Sequence, residues 1–123
     1  MRTIILGASR KPARYSNMAF HMLRKNGYEA VPVHPTLKEL DGVPVRNSLD
    51  EIDGEVHTLT LYIGPRHIGR EIPKILRLRP GRVILNPGTE SAELMRALDG
   101  AKIPYLRACT LVLLSTGQYG KAA

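Results

Sequence analysis

Lys11, Arg14 and Ser16 follow closely on the small-residue run Gly7-Ala8-Ser9, with Tyr15 between the last two. Small residues let backbone N–H groups approach a ligand, and two cations in the same loop make phosphate the natural anion. The preceding residues Thr3-Ile4-Ile5-Leu6 are β-branched or apolar, a run too short for a helix and suited to a strand buried on both faces. Residues 17–26 carry Ala19, Met22 and Leu23 at helical spacing, and Ser16 is expected to cap that helix. A strand, a small-residue turn and a helix N-terminus form an anion site, because the first helical N–H groups lack partners and the dipole favours negative charge.

Alternation of the same kind runs through the chain and must position that loop. Gly27 ends the first helix, and residues 28–33 (YEAVPV) form a second strand, with Pro32 placing it near an edge or lying near its terminus. His34-Pro35-Thr36 leads into a polar stretch with a short extended piece at 43–45 and a turn of helix at 49–52. The third strand is 57–63, punctuated by Gly64-Pro65. Ile68, Ile72, Ile75 and Leu76 then recur at helical spacing, with Pro73 either in the first turn of a late helix or at a kink. A fourth strand (83–85), the turn Asn86-Pro87-Gly88-Thr89, a helix (90–99) and a fifth strand (103–107) follow. The apolar run 110–114 fits a strand or a buried helix by pattern alone, and Gly117 as a terminator points to a short helix. This pattern predicts an α/β fold: a three-layer, doubly wound parallel sheet, Rossmann-like, in one domain over residues 1–123. Ligands bind such sheets outside the strands' carboxyl ends, which leaves the loops 7–16, 34–36, 64–66 and 86–89 as candidates.

Composition narrows the partners. The chain has 123 residues and 43% hydrophobic content, with no apolar run near the roughly 20 residues of a membrane helix. Cys109 is the only cysteine, which excludes an intramolecular disulfide, fits a cytoplasmic protein, and reads as a small buried hydrophobe. The net charge of +7 favours anionic partners, but five Tyr, one Phe and no Trp are a thin supply for stacking on nucleic acid. The basic residues are also dispersed, and Lys74, Arg77, Arg79 and Arg82 read as a solvated helix end. The histidines have no metal-ligand spacing, and no metal is expected.

The dinucleotide fingerprint Gly-x-Gly-x-x-Gly is incomplete, since only Gly7 is present in Gly7-Ala8-Ser9-Arg10-Lys11-Pro12. The second strand ends Val33-His34-Pro35, without the acid that binds a ribose diol. Together with Lys11 and Arg14, this suits a nucleotide bearing an extra phosphate. A Walker-type phosphate loop is absent.

Gly7-Ala8-Ser9 with Lys11, Arg14 and Ser16, and Gly27-Tyr28 leading to Pro32-Val33-His34-Pro35, carry a resemblance. Gly42-Val43-Pro44-Val45 with Ser48-Leu49, and Cys109-Thr110-Leu111, extend it over nearly the whole chain. The sequence resembles the small stand-alone CoA-binding domain family, akin to the nucleotide-binding domain of the succinyl-CoA synthetase alpha subunit. That family usually has Asn where His34 stands, and often Gln-x-Gly where this chain has Asn86-Pro87-Gly88. The resemblance implies a domain that binds coenzyme A or an acyl-CoA. Gly7, Ala8 and Ser9 would line the diphosphate with backbone donors, and Lys11, Arg14 and Ser16 would hold phosphates. Val33, His34 and Pro35 would flank the adenosine end, with Ile63, Gly64 and Pro65 as the next wall. No nucleophile with an evident base and no working pair of carboxylates stands out, so the expected role is non-catalytic. The alternative is an NADP-type nucleotide-binding enzyme, or a subunit acting on a CoA thioester with groups from a partner. A basic nucleic-acid binder comes third, and self-association is left open.

Overall fold

The computed structural model describes residues 1–121. Apolar runs become β1 (Arg2–Leu6), β2 (Glu29–Val33), β5 (Thr58–Leu61), β6 (Arg82–Leu85) and β7 (Tyr105–Arg107). These form one all-parallel sheet in the order β2-β1-β5-β6-β7. A separate antiparallel pair, β3 (Glu39–Leu40) and β4 (Val43–Pro44), occupies the polar stretch, followed by a single 3-10 turn at Leu49–Glu51. Among the five sheet strands the order is 2-1-3-4-5, the doubly wound arrangement whose switch point lies between the first and third. Here that point separates β1 from β5, and β2 is an edge strand, as Pro32 requires.

The strands alternate their faces. Ile4, Leu6, Leu59, Leu61, Val83 and Leu85 pack on one side beneath α3 (Ile72–Leu78) and α4 (Ala92–Ala101). Ile5, Ala30 and Ile84 face the other side, where α1 (Tyr15–Lys25) meets α5 (Thr110–Ser115) with Phe20, Leu23 and Leu113. That second face is threaded with hydroxyls. Thr60 and Thr110 pair at 2.8 Å, and Thr3 pairs with the phenol of Tyr119.

Three local readings change, and the alternative left open at Pro73 is decided. Helix α1 starts at Tyr15 with Arg14 in the cap position, so Ser16 lies inside the first turn and is not the cap. Pro73 is the second residue of α3, which begins late, after α2 (Pro65–Ile68) and a 3-10 turn at Gly69–Glu71. Ser91 caps α4 by accepting from the Leu94 amide at 3.1 Å. Arg82 is buried rather than solvated: its Nε donates to Thr58 Oγ1 at 2.8 Å, a terminal nitrogen donates to the Tyr119 carbonyl at 2.8 Å, and the guanidinium lies 4.6 Å from the Tyr119 ring centre. A buried guanidinium is tolerated when it is hydrogen-bonded in this way.

Candidate functional site

At the switch point β1 ends in Gly7, whose φ of +98° few other residues adopt. A Cβ there would lie 3.0 Å from Ile63 Cγ2 and 3.1 Å from the Tyr62 carbonyl group, so the loop after β5 closes directly against the glycine. The Gly7 and Ala8 amides both donate to the Val33 carbonyl, at 3.2 and 3.1 Å. These two amides serve the fold and are not turned to a ligand.

The donors come one turn later. The loop folds on itself: the Lys11 amide donates to Ser9 Oγ at 3.1 Å, and the Arg14 amide to the Lys11 carbonyl at 3.0 Å. Asn17 Nδ2 holds the Ser9 carbonyl at 2.8 Å. The amides of Tyr15 and Ser16 have no acceptor among the described residues, as expected at a helix start. Lys11, Arg14 and Tyr15 are exposed around them, while Ser16 is buried.

These groups line a cavity of about 620 Å³. Gly7, Ala8, Ser9, Lys11, Arg14, Tyr15 and Ser16 form one side, and His34, Pro35, Ile63 and Gly64 another, with Pro87, Gly88 and Thr89 completing it. Val33 belongs instead to a second cavity of about 270 Å³. Gly7, His34, Pro35 and Ile63 border both, so the two spaces meet at the switch point. Pro65 lines neither, standing behind Gly64 as the first residue of α2.

His34 has a defined orientation. Its Nδ1 accepts from the amides of Thr36 and Leu37, each at 3.1 Å, so the ring is turned as an Asn side chain would be in the same turn. With Nδ1 an acceptor, the neutral ring carries its proton on Nε2. Asn47 Nδ2 fixes the same turn, donating to the carbonyls of His34 and Leu37 at 2.8 Å each.

Sequence reasoning had the 86–89 turn among the candidate loops but not the bonds that Asn86 and Thr89 make, and it missed Tyr62. Asn86 Nδ2 donates to Thr60 Oγ1 and the Leu61 carbonyl, and its Oδ1 accepts from the Thr110 amide at 2.8 Å. The Thr89 amide and hydroxyl both donate to the Asn86 carbonyl, which holds the 86–89 turn against the cavity. Tyr62 lines the larger cavity, with its phenol enclosed and without a hydrogen-bond partner within reach among the described residues. Burial pushes that phenol up to about 12, against the smaller opposing influence of the Thr60 and Thr110 hydroxyls. Cys109 precedes α5 and is partly exposed, not buried as its type led one to expect. Among the described residues there is no cluster of side chains able to hold a metal, and no helix is long and apolar enough to cross a membrane.

Comparison with known proteins agrees with this architecture. The crystal structure of an uncharacterized protein superposes with a TM-score of 0.88 at 42% identity, covering 95% of this chain and 96% of that one. A structure from Thermus thermophilus superposes with a TM-score of 0.86 at 31% identity, over 95% of this chain and 89% of that one. The Bacillus subtilis protein YneT, itself uncharacterized, is 38% identical over 61 residues. That match takes in 50% of this chain and 45% of YneT, so it spans less than half the length of that relative. A family model described as a CoA binding domain matches residues 2–115, from β1 through α5. The chain belongs to the CoA binding domain family.

Proposed function

We propose that this chain, acting as one unit, binds coenzyme A or an acyl-CoA without transforming it. The observation that carries this reading is the junction of two cavities at Gly7, His34, Pro35 and Ile63. A ligand with an anionic part and a nucleoside part can straddle that junction. The larger space offers Lys11, Arg14, the Ser16 hydroxyl and the free amides of Tyr15 and Ser16 to a diphosphate, at a helix start where the dipole favours negative charge. The smaller space offers the apolar walls of Leu6, Val33, Pro35 and Ile63 to the adenosine end. Ser9 Oγ accepts from the Lys11 amide and His34 Nδ1 from the amides of Thr36 and Leu37, so both groups are engaged in holding their loops, which favours binding over catalysis.

Thermal melting with and without ligand tests the reading. Coenzyme A at about 100 times its dissociation constant should add ~2.7 kcal/mol to stability by mass action. A melting temperature raised by NADP and unmoved by millimolar coenzyme A would replace this reading with an NADP-type site.

A further inference from the structure

The smaller cavity contains a carboxylate that the fold leaves without a hydrogen bond. Glu71, in the turn between α2 and α3, has a side chain only 15% exposed. No N–H or O–H of the described residues donates to it, and its one cationic neighbour, Lys74, is 3.9 Å away. Its oxygens stay open to the cavity, so the carboxylate can accept from a donor that a ligand brings.

Its surroundings define what the donor must belong to. Leu6, Val33, Pro35 and Ile63 give the cavity apolar walls, which suit a flat ring better than a sugar. His67, Arg70 and Lys74 line the same cavity, and Glu71 is its one carboxylate, the strongest acceptor there. His34, in the same lining, contributes the opposite polarity. With Nδ1 fixed in the 34–37 turn, its Nε2–H points nearly the other way, and no acceptor among the described residues takes it. A planar base with an exocyclic amine and neighbouring ring nitrogens that accept fits this pairing. Adenine has both.

We propose that Glu71 is a specificity residue, its carboxylate accepting the 6-amino group of an adenine base in the smaller cavity, while His34 Nε2–H donates to a ring nitrogen. This rests on the coenzyme A reading above and adds to it a reader for the base. A 6-oxo purine would turn a carbonyl oxygen toward the carboxylate and leave it unsatisfied, the kind of mismatch that polar sites reject strongly.

Isothermal titration of the intact protein with coenzyme A and with its hypoxanthine counterpart, in which oxygen replaces the 6-amino group, tests this. Wild type should bind coenzyme A about tenfold or more tightly than the counterpart, the scale of a hydrogen bond to a charged group. Glu71→Gln keeps the shape but exposes an amide that can turn N–H or C=O inward, and should bring the two ligands within about threefold of each other. Wild type binding both equally would overturn the proposal while leaving the coenzyme A reading intact. Full discrimination in Glu71→Gln would also overturn it, by moving the reader elsewhere. Failure of wild type to bind coenzyme A at all would remove the underlying reading as well. The wild-type comparison needs no variant and stands even if Glu71→Gln folds poorly.

Discussion

Asn17, inside the first turn of α1, donates from its side-chain amide to the carbonyl of Ser9, so the helix holds the loop that leads into it. With Lys11 on Ser9 Oγ and Arg14 on the Lys11 carbonyl, the loop is ordered by its own bonds. A ligand therefore meets a preformed surface and does not have to offset the entropy of ordering it.

Removing that tether should separate folding from binding. Asn17→Ala leaves the Ser9 carbonyl without its partner and should destabilise the protein by about 1–2 kcal/mol in urea denaturation. Coenzyme A affinity should fall roughly tenfold by titration, because ordering the loop becomes part of binding. Unchanged affinity would mean that the loop does not contact the ligand.

Arg14 tests the phosphate role directly. It is exposed, caps α1 without a side-chain bond, and has no ion-pair partner among the described residues. Arg14→Ala should cost about 1.5–3 kcal/mol in coenzyme A binding while barely moving the melting temperature. Arg14→Lys should recover only part of the loss, since an ammonium cannot fork two phosphate oxygens. Wild-type affinity in Arg14→Ala would place the phosphates elsewhere.

A pH dependence arises away from the site, at His57. Thr58 Oγ1 accepts from Arg82 Nε at 2.8 Å and is also hydrogen-bonded to His57 Nδ1 at 2.8 Å. Burial, then the Arg82 charge, then the N-terminal ammonium hold the imidazole below its ordinary value of 6.5. The unfolded chain therefore binds the proton more readily than the native one. Stability from this group is complete above about pH 6.5 and declines as pH falls through the lower native value. Melting temperatures should drop between pH 7.5 and 5, and His57→Gln should flatten that decline. An equally steep decline in the variant would assign it to other groups.

The alternation of strands and helices was legible because short apolar runs and glycine turns are local signals. So was the loop bearing Lys11 and Arg14, whose residue types carry their chemistry openly. Helix starts were less so: both Ser16 and Ser91 fit a cap by type, and only backbone geometry distinguishes the residue inside α1 from the true cap of α4. What stayed hidden depends on distant partners. Arg82 looks solvated until Thr58 and Tyr119 are placed beside it. Asn86 looks like a turn residue until the Thr110 amide reaches its side chain. The use of the Gly7 and Ala8 amides was equally hidden, because the Val33 carbonyl that takes them lies on another strand.

Tyr119 touches three separate parts of the fold: its phenol meets Thr3, its carbonyl and ring hold Arg82, and Tyr28 packs edge-on at 4.9 Å. The stretch 116–119 is consequently tied to the sheet. Lifting it would strip an interior guanidinium of a hydrogen bond and its aromatic cover, and uncover the hydroxyl row on β1 and β5, so local opening there is as costly as breaching the sheet. Amide protons of residues 117–119 are therefore expected to exchange with those of β1 and β6, although a short segment following a six-residue helix would ordinarily be among the first to exchange.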